Sequence, residues 1–149
     1  MESTLSIFAI GISVFTFVFS LCSFLWTAQR DKKQATLDAY NTLQNEAFDK
    51  LNLFMPSEIR EIMKHTTSKE YNEVSGYIAR IEHFCVGVNQ KIYDRKTVYE
   101  LAHGYFDGKK LRSRMEPVID QKNQGADKDY YENIHKVLAW MDRESGAST

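Results

Sequence analysis

Between Leu5 and Ala28 this chain of 149 residues carries no charged side chain. It also has only two cysteines, two prolines and seven glycines. Cys22 lies inside the uncharged run and Cys85 far beyond it, so no disulfide framework or metal-ligand cluster can be drawn from them. Scarce proline and glycine leave few forced breaks in the long stretches of helical periodicity. There is no Gly-rich phosphate loop, nucleophile elbow, Cys-x-x-Cys pair or zinc-protease signature. Gly104 and Gly108, around Tyr105-Phe106-Asp107, read as a helix interruption rather than a nucleotide cradle. No cofactor is expected, and no enzymatic activity. The formal net charge is −1, without the basic excess that a nucleic-acid binder carries.

What is present instead is LSIFAIGISVFTFVFSLCSFLWTA, which as a helix spans about 36 Å, enough to cross a hydrocarbon core of about 30 Å. Residues 1–28 are therefore read as a retained transmembrane anchor in contact with lipid. A cleaved leader fits poorly: Met-Glu-Ser-Thr has no cation, and no clean small-x-small pattern follows the run. Bulky Leu21 before Cys22 argues against lipoprotein processing. Arg30, Lys32 and Lys33 follow the span while only Glu2 precedes it, which predicts the N-terminus outside and the rest in the cytoplasm.

Within the span Ser6, Ala9, Ser13, Thr16, Ser20, Ser23 and Thr27 recur at alternating steps of three and four. Small residues let helices approach closely, and a 3.5-residue repeat keeps one seam toward a partner, so self-association is expected. Two other readings compete. Hydroxyls are tolerated in any membrane helix because they bond back to the preceding turn, and several copies could surround a hydroxyl-lined pore.

Beyond the anchor the chain reads as all-α: a single N-terminal transmembrane helix followed by a small cytoplasmic helical bundle. Residues 29–56 continue the anchor as a juxtamembrane helix, with Leu37, Tyr40, Leu43, Ala47, Phe48, Leu51 and Phe54 on one side and no Gly or Pro between Trp26 and Met55. Residues 57–142 form the bundle. It opens with a short helix capped by Ser57, followed by a helix from Lys69 to about Tyr93 carrying Tyr71, Val74, Ile78, Ile81, Cys85, Val88 and Ile92. A helix capped by Asp94 carries Val98, Leu101, Ala102, Tyr105 and Phe106 and runs on through Leu111 and Met115 toward Pro117. After a polar loop over 121–129, the last helix presents Tyr130, Tyr131, Ile134, Val137, Leu138 and Met141. Residues 143–149 read as a disordered tail. The short basic cluster Lys109-Lys110-Leu111-Arg112-Ser113-Arg114 reads as a solvated helix face.

Tyr77-Ile78-x-x-Ile81-Glu82, Val86-Gly87-Val88, Ile92-Tyr93-Asp94 and Tyr130-Tyr131-Glu132 together resemble a bacterial family known as domain of unknown function 4760. The resemblance covers roughly Lys33 to Met141. It implies a small helical domain, often behind one membrane helix, with no established reaction, and hence a bacterial inner-membrane location.

Two catalytic patterns remain to be weighed. Arg60 and His65 have the loose Arg-x4-His spacing of helical HEPN ribonucleases, with an exposed amphipathic helix as the simpler reading. Glu132-x-x-His135 has di-iron spacing, but a bundle site needs two such motifs and two further glutamates. The sequence favours a membrane-anchored, self-associating interaction or sensing module that engages a cytoplasmic protein of unknown identity. A membrane-disrupting or pore-forming effector of a bacterial defence or toxin system comes second, and a membrane-tethered HEPN-like ribonuclease third.

Overall fold

The computed structural model describes residues 2–106, 109–124 and 129–146, and within these not the side chains of 2–7, 9, 109 and 110. Helix α1 (Glu2–Leu43) passes through a π-helical turn (Gln44–Phe48) into a last short helical turn, α2 (Asp49–Leu51). With no proline or glycine after Gly11, nothing in this stretch forces a break. The part from Ile10 onward is long and apolar enough to cross a membrane, and none of its most apolar window is buried. Phe8, Ile10, Phe15, Phe17, Phe24 and Trp26 all stand exposed.

The remaining described elements are helical: α3 (Pro56–Ile62), α4 (Lys69–Asn89), α5 (Arg95–Phe106), α6 (Lys109–Asn123) and α7 (Glu132–Gly146). The chain is thus an all-α protein, one long apolar helix followed by a helical bundle. Helix α4 runs antiparallel to the stem, the part of the long helix beyond the apolar run. Arg80 Nε lies 3.4 Å from Glu46, the Phe84 ring is 6.4 Å from Tyr40, and the Asp94 N–H donates to Thr36 Oγ at 2.8 Å. Helix α5 then returns parallel to the stem: the Tyr40 hydroxyl donates to the Leu101 carbonyl at 3.1 Å, and Tyr105 stacks on Phe48 at 5.5 Å. Fully buried Phe48 is the hub, meeting Tyr40 and Phe106 edge-on as well. Helix α7 closes the bundle over α4 with Ile134, Val137 and Met141 buried.

Several boundaries differ from the periodicity. Helix α3 starts at Pro56, not behind a Ser57 cap, because proline's fixed φ suits the first helical position; the Glu58 carboxylate accepts the Met55 N–H at 2.6 Å. Helix α4 ends at Asn89 because Lys91 adopts φ 60°. The Lys91 N–H then reaches the Val88 carbonyl and the Ile92 N–H the Gly87 carbonyl, a Schellman closure that turns Ile92 out of the core. Ile92 is 58% exposed, contrary to its place in the stripe.

Helix α6 continues through Pro117 to Asn123, into the stretch read as loop. Proline costs one rung, but Met115, Val118 and Ile119 are buried on either side of it. Tyr130 is 66% exposed whereas Tyr131 is buried. Helix α7 runs to Gly146, past the expected start of the polar tail, and 147–149 lie outside the described residues. Asp107 and Gly108 also lie outside them, as do residues 125–128.

Candidate functional site

The seam is the first candidate. Ser13, Thr16, Ser20, Ser23 and Thr27 are exposed along α1; the side chains of Ser6 and Ala9 lie outside the described residues. Thr16 Oγ donates to the Ile12 carbonyl and Thr27 Oγ to the Ser23 carbonyl, each at 2.9 Å. Those hydroxyls therefore satisfy themselves within the helix and present their methyl groups and small volume outward. Phe15 and Phe19, stacked at 6.5 Å, stand as bulk beside the seam.

The second candidate is the joint between stem and bundle. Thr36, a fully buried polar side chain in the core, donates to the Lys32 carbonyl at 2.7 Å and accepts from the Asp94 N–H. Asp94 caps α5, accepting from the Thr97 N–H at 2.9 Å and the Thr97 hydroxyl at 2.7 Å. These Thr97 bonds hold its carboxyl below the usual carboxylate range, and Lys33 and Lys32 add to the effect. Two of the topology cations thus sit electrostatically at the joint. The third, Arg30, lies over the Trp26 ring, 5.9 Å from its centroid.

Gly87 and Tyr93 complete the joint. A Cβ at Gly87 would come within 2.8 Å of Tyr93 Cδ2 and closer still to Cε2, so the ring lies where any other side chain would begin. Tyr93 in turn stacks on Phe84 at 5.0 Å. Burial pushes the Tyr40 hydroxyl up to about 12, with Tyr105 and Asp49 adding to it.

Glu82 holds the start of α7. Its carboxylate accepts from the Asn133 N–H at 3.1 Å, the Asn133 side-chain amide at 2.7 Å and the Ile134 N–H at 2.9 Å. An acid on α4 thereby caps the N-terminus of α7, where the helix dipole favours negative charge. Asn89 adds bonds from its amide to the Asn133 side chain and carbonyl. Beside this cap an open hollow of about 660 Å³ is lined by Ser75, Gly76, Ala79, Lys122 and Tyr130. Ser75 Oγ is buried there without a hydrogen-bond partner.

The structure does not bring Arg60 and His65 into one lined site. Arg60 borders a hollow with Glu116 and Asp120, whereas His65 Nε2 lies 3.8 Å from Glu61. Glu132 pairs with Lys136 at 2.6 Å, and the His135 ring meets Asp129 at 2.6 Å. Burial pushes the Asp129 carboxyl up, but the Tyr131 N–H, the Asn123 amide and His135 together hold it below the usual range. Among the described residues no group of three or more His, Cys, Asp or Glu side chains could hold a metal ion. In the basic cluster Arg112 bonds Asp142 and the Phe106 carbonyl, while Arg114 Nε donates to the Phe54 carbonyl at 2.8 Å. The Lys109 and Lys110 side chains lie outside the described residues.

Sequence reasoning missed Thr36 and the target of Glu82. Both are local polar residues whose partners stand 58 and 51 or 52 positions away. The family model described as Domain of unknown function (DUF4760) matches residues 4–140, the apolar helix included. No curated protein and no solved structure matches the chain.

Proposed function

Because the chain belongs to this DUF4760 family, a membrane-associated helical domain of unknown function, we propose that it is a non-enzymatic, self-associating interaction or sensing module. In this reading the N-terminus lies outside and the bundle faces the cytoplasm, where it engages a protein partner. The observation that carries the reading is the uninterrupted helix joining seam to core. Thr27 ends the seam and Thr36, nine residues on, is locked into the bundle, so association in the membrane and the placement of the bundle are one mechanical event.

Seam geometry supports packing over conduction, since Thr16 and Thr27 direct their hydroxyl hydrogens back to their own helix. The test is the mass of the detergent-solubilised full chain, compared with a Ser13→Leu, Thr16→Leu, Ser20→Leu variant at matched helicity. Wild type should run as a discrete oligomer and the variant as a monomer; a monomeric wild type sinks the reading. Depolarisation of cells by wild type and not by the variant would instead favour the effector. A reporter fused at each end reads the orientation.

A further inference from the structure

The exposed Ile92 stands at a particular end of the molecule. Helix α4 runs antiparallel to the stem, so its C-terminal loop points back toward the apolar run. The Asp94–Thr36 bond fixes that loop eight residues beyond Ala28, about 12 Å along the helix axis. Headgroups occupy about 5–7 Å outside each face of the hydrocarbon core. The turn at Gln90–Tyr93 therefore lies at the end of α4 that faces the apolar run.

Its chemistry suits that place. The stem segment Arg30-Asp31-Lys32-Lys33 and the loop segment from Gln90 to Lys96 together hold six cations and two acids. One of those acids, Asp94, is occupied as the α5 cap, with Lys32 and Lys33 near enough to stabilise its charge. Arg95 is occupied too, its Nε reaching the Val88 carbonyl and its guanidinium lying over Trp140, and Lys96 is 3.9 Å from Glu100. Lys91, next to the exposed Ile92 in the chain, and Lys33 on the facing stem are both exposed. The left-handed Lys91 is what turns the Ile92 side chain outward.

We propose that the Gln90–Tyr93 turn, with Ile92 as its apolar tip and Lys91 and Lys33 as its cations, docks on the anionic headgroup surface of the bilayer that α1 crosses. Docking holds the bundle against the membrane rather than free beside it. Lysines close to an anionic surface and a single apolar insertion are each modest, but here they act within one anchored molecule. The proposal rests on the membrane-anchor reading of α1 and on no particular orientation.

The experiment uses the full chain in vesicles, with Cys22→Ser and an environment-sensitive fluorophore at one new cysteine: Ile92→Cys, Leu53→Cys or Phe17→Cys. Leu53 is 76% exposed just beyond α2, at the end of the stem away from the apolar run. Lipids spin-labelled at the headgroup quench a label at the membrane surface, and lipids spin-labelled along the acyl chain quench one inside the bilayer, as at position 17. Expected is quenching at 92 and not at 53, stronger in vesicles containing phosphatidylglycerol than in pure phosphatidylcholine. Lys91→Gly keeps the left-handed turn and removes its charge, and should lower the docked-to-undocked ratio about fivefold in the anionic vesicles. Quenching at 17 with none at 92 overturns the docking and leaves the anchor standing. No quenching at either position overturns both. Quenching at 92 that is indifferent to anionic lipid and to Lys91→Gly overturns the electrostatic assignment.

Discussion

Gly87 shows how one side chain's absence shapes the joint. Alanine there would gain about 1 kcal/mol of helix propensity, yet its Cβ would press into a Tyr93 ring already stacked on Phe84. Overpacking of that kind costs about 1–3 kcal/mol, so Gly87→Ala should lower the thermal midpoint of the full chain in detergent; an unchanged or raised midpoint would show that the ring yields freely. Tyr40 makes a pH prediction. Its hydroxyl is raised from about 10 in the unfolded chain to about 12 in the fold, so the fold binds that proton more tightly. The stabilisation is whole below pH about 10 and is lost as pH rises through about 12. Tyr40→Phe should flatten this part of the alkaline unfolding curve followed by circular dichroism, and a curve unchanged in shape would exclude Tyr40 as its source. The importance of Tyr40 and Phe48 was readable from periodicity, because burial follows the apolar stripe. Ile92 and Tyr130 broke the rule because each lies at a helix boundary, where the backbone leaves the helical direction and the stripe no longer says which way a side chain faces.

Among the elements, the start of α5 is tied to the stem through the Thr36 hydroxyl. Thr36→Val keeps the volume but takes away the acceptor for the Asp94 N–H and leaves that donor beside a buried methyl. A buried donor so orphaned costs about 1–3 kcal/mol. Amide exchange over residues 90–98 should quicken well before that of α7, whose cap comes from Glu82 instead. Equal acceleration in both would mean that stem, α5 and α7 open together. The cap of α5 by Asp94 was legible because it is local: acceptor and donor are three residues apart. The cap of α7 by Glu82 was not, since an acid at position 82 looks the same in sequence whether it faces water or a helix terminus 51 residues away. The π-helical turn was equally hidden. Gln44–Phe48 contains neither glycine nor proline, and it is a place where the stem fits its neighbours rather than a local preference.

For the molecule as a body, the consequence is one of direction. Thr27 and Thr36 are nine residues apart, about two and a half turns, so the seam and the bundle occupy opposite sides of one helix. An assembly built on the seam would set the stems back to back with the bundles outside. Asn41, exposed and two heptads beyond Thr27, would then face its own copy. In a Cys22→Ser background Asn41→Cys should form disulfide-linked dimers in membranes. Inserting one alanine after Ala28, which turns the stem about 100° against the seam, should suppress them, whereas inserting seven should restore them. Cross-linking indifferent to the insertion would show that seam and stem are not coupled. Cys85 will not compete, for it is buried and burial pushes its thiol well above the ordinary value.

The long apolar helix, the all-α class and most of the buried faces are written in composition and periodicity, because hydrophobic burial is additive along a helix and repeats with its turn. The uninterrupted stem is written there too, in the lack of any residue that would break it. Only the folded chain decides that α4 points its loop back toward the apolar run, that Glu82 caps the start of α7, and that Thr36 ties the stem to the start of α5. Each is a hydrogen bond or packing contact between positions far apart in sequence, whose geometry exists only once the helices have packed.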